Sequence, residues 1–162
     1  RLLTYMHMKK IFIFIISIGL LSGCQLGSAT ELATYNDPQD RFQFSYPTEW
    51  IQTQGSDEIQ FWDQLGEDNS LKMVLFVHEE DFYTVAREIS NDSNAEYTYE
   101  DINEIPVLIK QGDFLTDYEI YYYRLPDDTV VSLAAYFTKS SSRVREQAET
   151  TQRSFRTITQ EE

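Results

Sequence analysis

Along residues 42–47 the side chains alternate, Phe42, Phe44 and Tyr46 against Gln43 and Ser45, which is the period of a strand with one buried face. Pro47 closes the run, because proline fixes φ and has no N–H to give to a ladder. The segments "EWIQTQ" (49–54) and "EIQFWD" (58–63) read as two further short strands. Residues 70–77, "SLKMVLFV", are apolar on both sides and predict a central strand covered on both faces. The period then changes. Phe82, Val85, Ala86 and Ile89 fall at i, i+3, i+4 and i+7, which predicts a helix over 80–89 with acidic residues in its first turn, where they complement the helix dipole. A second helix is expected over 141–155, with Val144, Ala148 and Phe155 on one side. Between the helices, "EIPVLIK", "DYEIYYYRL" and "TVVSLAAYFT" read as strands, the last two joined through "PDD" as a β-hairpin. In the middle strand the alternation puts Tyr118 and Tyr122 on one face and Tyr121 and Tyr123 on the other. Core packing is the default for such tyrosines, and a face open to a protein partner is the alternative. The order of strands, helix, strands, helix predicts an α+β domain, a central antiparallel β-sheet with helices on both faces.

The first residues obey a different pattern. Met8 is the expected start, with residues 1–7 an upstream extension; Lys9 and Lys10 then form a positive n-region ahead of the apolar run "IFIFIISIGLLSG". Residues 11–23 would make a helix of about 20 Å, whereas a bilayer core needs about 20 residues, so the segment reads as a signal peptide rather than a spanning anchor. Leu21, Ser22, Gly23 and Cys24 resemble the bacterial lipobox, in which the cysteine sulfur takes a diacylglyceryl group and the bond before it is cleaved. The small residues Ser22 and Gly23 suit a peptidase that must approach the backbone closely. Cys24 is the only cysteine in the chain, so no intrachain disulfide can form. Its lipid is the expected membrane attachment, two or more acyl chains being needed for firm anchoring. The division this implies is residues 1–23 as extension and signal peptide, 24–33 as lipidated cysteine and short polar tether, 34–158 as one folded domain, and 159–162 as an acidic tail. The expected place is membrane-anchored and extracytoplasmic: the outer face of a plasma membrane, the periplasmic side, an outer membrane, or a thylakoid lumen in a cyanobacterial source.

Charge narrows the partners. From Cys24 onward the chain carries 10 basic and 27 acidic residues, a formal charge of −17. Such a field opposes nucleic acid and anionic lipid headgroups and favours solubility or a basic partner.

The stretch "YNDPQDRFQFSYPTEW" resembles the opening of the PsbP family: Tyr35 with an acidic turn, Phe42 and Phe44 in a short strand, then Tyr46 and Pro47, and Trp50 three residues on. "RSFRTI" supplies the Ser154–Phe155 pair that the family places between its last helix and a closing strand. These residues are structural. The resemblance implies an α/β/α sandwich and a non-catalytic extrinsic subunit or assembly factor that works on a membrane protein complex, photosystem II where the source is photosynthetic.

The residues carry little catalytic chemistry. A nucleophile elbow, a glycine-rich phosphate loop, a paired-histidine helix and a Cys-x-x-Cys are all missing from the sequence. After Cys24 the one histidine is His78. It precedes Glu79, Glu80 and Asp81, and these four are the candidates for a divalent ion such as zinc or calcium. The plain alternative is a strand-end histidine beside a solvated helix start. The loops "DPQD" (37–40) and "GEDNS" (66–70) offer oxygen ligands without the alternating carboxylates and closing glutamate of a calcium loop. Three functions stay open: a lipid-anchored accessory domain that binds a protein near the membrane, a lipoprotein that binds a small molecule or divalent ion, and a hydrolase that uses carboxylates alone.

Overall fold

The computed structural model describes residues 30–63, 70–113, 116–138 and 142–158. The stretches expected to be a signal peptide and a lipobox with Cys24, the residues 66–69 of "GEDNS" and the tail 159–162 lie outside the described residues.

Two antiparallel sheets form the domain. The larger runs β3 (Ile51–Gln54), β4 (Glu58–Trp62), β5 (Leu71–Asp81), β9 (Thr129–Phe137), β8 (Asp117–Arg124), β7 (Ile105–Gly112), β6 (Glu96–Ile102). The smaller places β2 (Phe42–Pro47) between β1 (Leu32–Asn36) and β10 (Arg156–Thr157). Two short helices complete it, α1 (Phe82–Ile89) and α2 (Ser142–Arg153). β1 begins two residues inside the stretch read as tether. Strand β6 has no counterpart among the strands read from the sequence, although Tyr97 and Tyr99 do alternate with Glu96, Thr98 and Glu100 there.

The turns follow from residue chemistry. Asn103 and Glu104 both have positive φ, 51° and 67°, the geometry of a two-residue type I′ hairpin between β6 and β7. Asn103 repays its conformation by donating its Nδ2 to the carbonyls of Arg153 (3.0 Å) and Phe155 (2.8 Å). The β8–β9 turn has Pro126 at its second position and Asp128 at φ 70°, with the Asp128 N–H donating to the Leu125 carbonyl at 3.0 Å.

One face of the large sheet is filled from alternate positions of its five inner strands: Phe61, Met73, Leu133, Tyr121, Tyr123, Val107 and Ile109 are all buried. Phe42, Phe44, Trp50 and Phe155 close over them from the other side. Phe155 stacks on Tyr123 at 3.9 Å and on Phe42 at 5.0 Å. Here the expected α/β/α sandwich needs correction. The covering layer is mainly the small sheet, because α2 buries only Ala148, Thr151 and Gln152 within the helix, too thin an apolar stripe to seal seven strands. Phe155 lies past the helix end and belongs to the turn before β10. Gln152 anchors α2 instead: its Nε2 donates to the carbonyls of Leu133 (2.9 Å) and Glu119 (3.1 Å), and its own carbonyl accepts the Tyr123 hydroxyl (2.7 Å).

The opposite face carries α1, whose Phe82, Val85 and Ala86 pack on Leu108, Tyr122 and Val130. The helix begins later than its acidic run predicts. Glu79, Glu80 and Asp81 still belong to β5, and no acidic residue lies in the first helical turn. Asp81 is the N-cap, its carboxylate accepting from the N–H groups of Tyr83 and Thr84 at 3.0 Å each. Strand β5 is not covered on both sides along its length either, since Phe76 stays 37% exposed on the α1 side. Among the described residues no helix is long and apolar enough to cross a membrane.

Candidate functional site

The residues singled out around the N-terminal motif gather at the small sheet. Tyr35 stacks on Phe44 at 5.1 Å, and Tyr46 lies 4.9 Å from Phe61. Pro47 is buried at the end of β2, and Trp50 is 5% exposed with its backbone N–H on the Pro47 carbonyl. The Ser154 hydroxyl accepts the Ser45 N–H at 2.8 Å, so a side chain continues the pairing that β10 makes with β2. These contacts bind one layer to the other.

The acidic turn is equally committed. Both carboxylate oxygens of buried Asp37 receive the Arg41 guanidinium, at 2.7 and 3.0 Å. Burial pushes the Asp37 carboxyl up, but the Arg41 side chain and the backbone N–H groups of Arg41 and Gln39 outweigh it and hold the group below its usual range. An arginine thus sits where "DPQD" would need a calcium ion.

His78, Glu79, Glu80 and Asp81 do not converge. His78 turns inward on the α1 side, where its Nε2 lies 2.9 Å from the Ser132 hydroxyl and its ring lies against Phe76 and Tyr122, at 4.9 and 5.7 Å. Burial lowers its pKa, and Glu80 offsets only part of that. Glu79 and Glu80 are exposed, and Asp81 is used by the cap. Among the described residues no group of three or more His, Cys, Asp or Glu could hold a metal ion.

What remains is the α1 side of the large sheet. Strand register sets its side chains in rows. The first is Ile51, Trp62, Lys72, Tyr136, Tyr118; the second is Gln60, Val74, Ala134, Ile120, Lys110; the third is Glu58, Phe76, Ser132, Tyr122, Leu108. Helix α1 has eight residues, about 12 Å at 1.5 Å per residue, and strands lie about 4.8 Å apart. It therefore cannot span the face. The β3–β4–β5 half is left bare: Ile51 and Phe76 are each 37% exposed, and Trp62 is half-buried beneath Lys72, whose Nζ lies 5.4 Å from its ring. Both lysines among the described residues, Lys72 and Lys110, stand on this side, although the chain as a whole is strongly acidic.

On the other half, past the end of α1, a cavity of about 450 Å³ opens between Tyr118, Tyr136, Lys110 and Asp92. Lys110 pairs with Asp92 at 2.9 Å, and the two tyrosine rings stand 6.5 Å apart at 47°. The hydrogen bonds to Asp92 from Lys110 and the Asn94 N–H draw its carboxyl below the ordinary range. Tyr118 stands out in the sequence within its tyrosine-rich strand, whereas Trp62, Lys72, Lys110 and Tyr136 do not. Their common phase in four strands was visible in the alternation, but the register that makes them one surface was not.

The PsbP family model matches residues 30–103. Among solved structures, the chain is similar to cyanobacterial PsbP (CyanoP) from Synechocystis sp. PCC 6803, with a TM-score of 0.55 and 15% identity over 83% of this chain and 97% of that one. It is also similar to a crystal structure from Bacteroides thetaiotaomicron VPI-5482, with a TM-score of 0.56 and 13% identity over 76% of this chain. The match spans about half of that protein, 47% of its length. No curated protein sequence matches significantly. At such identities the likeness concerns the fold, a PsbP-like arrangement of mostly antiparallel sheet with two short helices.

Proposed function

We propose that this chain is a lipid-anchored, extracytoplasmic accessory domain without catalytic activity, held to a bilayer through Cys24, whose bare β3–β4–β5 half-face docks a protein of a membrane complex. The observation that carries this reading is the pairing of a sealed, motif-built face with a face whose apolar side chains remain in water. Exposed Phe76 and Ile51 with half-buried Trp62 form the kind of aromatic-rich patch that protein interfaces use. Lys72 stands at the Trp62 end of the patch and Glu58 at the Phe76 end, and a partner with an acidic contact facing Lys72 beside an apolar one complements it. The matched family supports the non-catalytic part, and in a photosynthetic source the complex would be photosystem II.

The test is capture from detergent-solubilised membranes by the wild-type chain, by Phe76→Asp and by Cys24→Ala. Phe76→Asp should abolish capture of the partner while the melting temperature moves little. Cys24→Ala should release the protein from the membrane fraction, or leave it uncleaved there, and still bind the solubilised partner. Equal capture by wild type and Phe76→Asp would remove this face from the proposal, and an unlipidated wild-type protein in the soluble fraction would remove the anchor.

A further inference from the structure

The cavity beside Tyr118 lies on the other half of the sheet from the proposed docking patch and has a different chemistry. Its charges cancel internally: Lys110 and Asp92 are an ion pair at 2.9 Å, so neither is left to demand an ionic ligand. Its walls are two tyrosine rings inclined at 47°, and Lys110 rests 5.7 Å from the Tyr118 ring. Its rim offers both donors and acceptors, the Asn94 amide and the Thr116 hydroxyl adding to the Tyr136 hydroxyl, while the Tyr118 hydroxyl bonds Asp92. Tyr118 is also held in place. It lies across Gly112 from the neighbouring strand, so that a Cβ at residue 112 would fall 2.5 Å from its hydroxyl oxygen. Only glycine lets the ring settle there, and the wall is preorganised by the backbone beneath it.

We propose that this cavity binds a neutral polyhydroxylated ligand, one or two sugar units in size. Its volume of about 450 Å³ lies in the range of ligand pockets, roughly 300–1,000 Å³. The CH faces of a pyranose fit against inclined aromatic rings, and ring hydroxyls can both donate to Asp92 and accept from Lys110 and Asn94. An anion would have to break the Lys110–Asp92 pair. A flat aromatic hydrocarbon would leave the polar groups of Asp92, Asn94, Lys110 and Thr116 without partners. A cation would find one carboxylate that already holds an ammonium.

The experiment is calorimetric titration of the full chain in detergent with glucose, N-acetylglucosamine, maltose, cellobiose and chitobiose, at low and high sodium chloride. At least one sugar should bind with an affinity that salt leaves unchanged, because no counterions are displaced. Tyr118→Ala and Tyr136→Ala should each weaken it by about tenfold or more, equivalent to about 1.4 kcal/mol. Asn94→Ala, at an exposed loop position where folding is not at risk, should weaken it several-fold, and Tyr83→Ala on the far side of α1 should not. Four results would overturn the proposal: no binding of any of these sugars at millimolar concentration, affinity that falls steeply with salt, affinity indifferent to both Tyr118→Ala and Asn94→Ala, or sugar binding lost in Phe76→Asp but kept in those two variants.

Discussion

The two faces of the large sheet are built from the same kind of strand, yet they differ in what covers them. On one face, Tyr123, Phe155 and Phe42 stack in series and Tyr35 joins them to Phe44 and Phe61, all sealed by a second sheet. On the other, a helix of eight residues covers the centre and leaves aromatic and lysine side chains half in water on either side. The lesson is that burial and availability are distributed by layer. The family-like motif residues are spent on joining layers, and the side chains free to meet a partner are those the motif does not mention.

The sharpest way to break this contrast is to delete one aromatic side chain from each face. Phe155→Ala removes a fully buried ring between Tyr123 and Phe42 and should cost about 3–5 kcal/mol, read as a shift of the urea midpoint. Phe76→Ala on the open face should cost under about 1 kcal/mol. Equal losses would mean that the open face is as integral to the fold as the sealed one.

A smaller effect is expected where the sealed side is fastened by charge. Asp37→Asn leaves Arg41 without its carboxylate and should cost about 1.5–3 kcal/mol at neutral pH, the range for hydrogen bonds to charged groups. The folded pKa of Asp37 lies below its ordinary value of 3.8. Its stabilisation is therefore fully present above that value and fades as pH falls through the lower, folded pKa. Denaturation at pH 7 and below pH 3 should show the wild type and variant converging in acid; a gap independent of pH would detach Asp37 from the effect.

The smallest effect belongs to the open face. The pKa of His78 is lowered below its ordinary 6.5 by burial, so the unfolded chain takes up a proton at higher pH than the folded one. Stability contributed here is present above about 6.5 and declines as pH drops from there toward the folded value. His78→Asn should remove this decline, measured by urea denaturation between pH 7.5 and 5. A decline that persists in the variant would assign it to other groups.

Much of this architecture was legible in the chain. Alternation at Phe42, Phe44 and Tyr46, the apolar spacing of Phe82, Val85, Ala86 and Ile89, and the turn at Pro126–Asp128 each specify local conformation, because side-chain period and backbone preference are properties of a few consecutive residues. The division of Tyr121 and Tyr123 from Tyr118 and Tyr122 follows from the same period. What tertiary structure alone decided is partnership. β10 is two residues long and pairs with β2, more than a hundred positions earlier, and no periodic signal can exist in so short a strand. The apolar spacing carries the expected helix back to Glu80, yet Glu80 and Asp81 end β5: the ladder with β9 skips Glu79 and Glu80 as an irregularity and closes on Asp81, paired with Thr129. Trp62, Lys72, Tyr136 and Tyr118 become one row only through the register of four strands, and the open half of that face exists because α1 is shorter than the sheet is wide. Sequence determines which way each side chain points from its own strand; which strands lie side by side, and how much of their common face a helix can reach, depends on contacts between residues far apart in the chain.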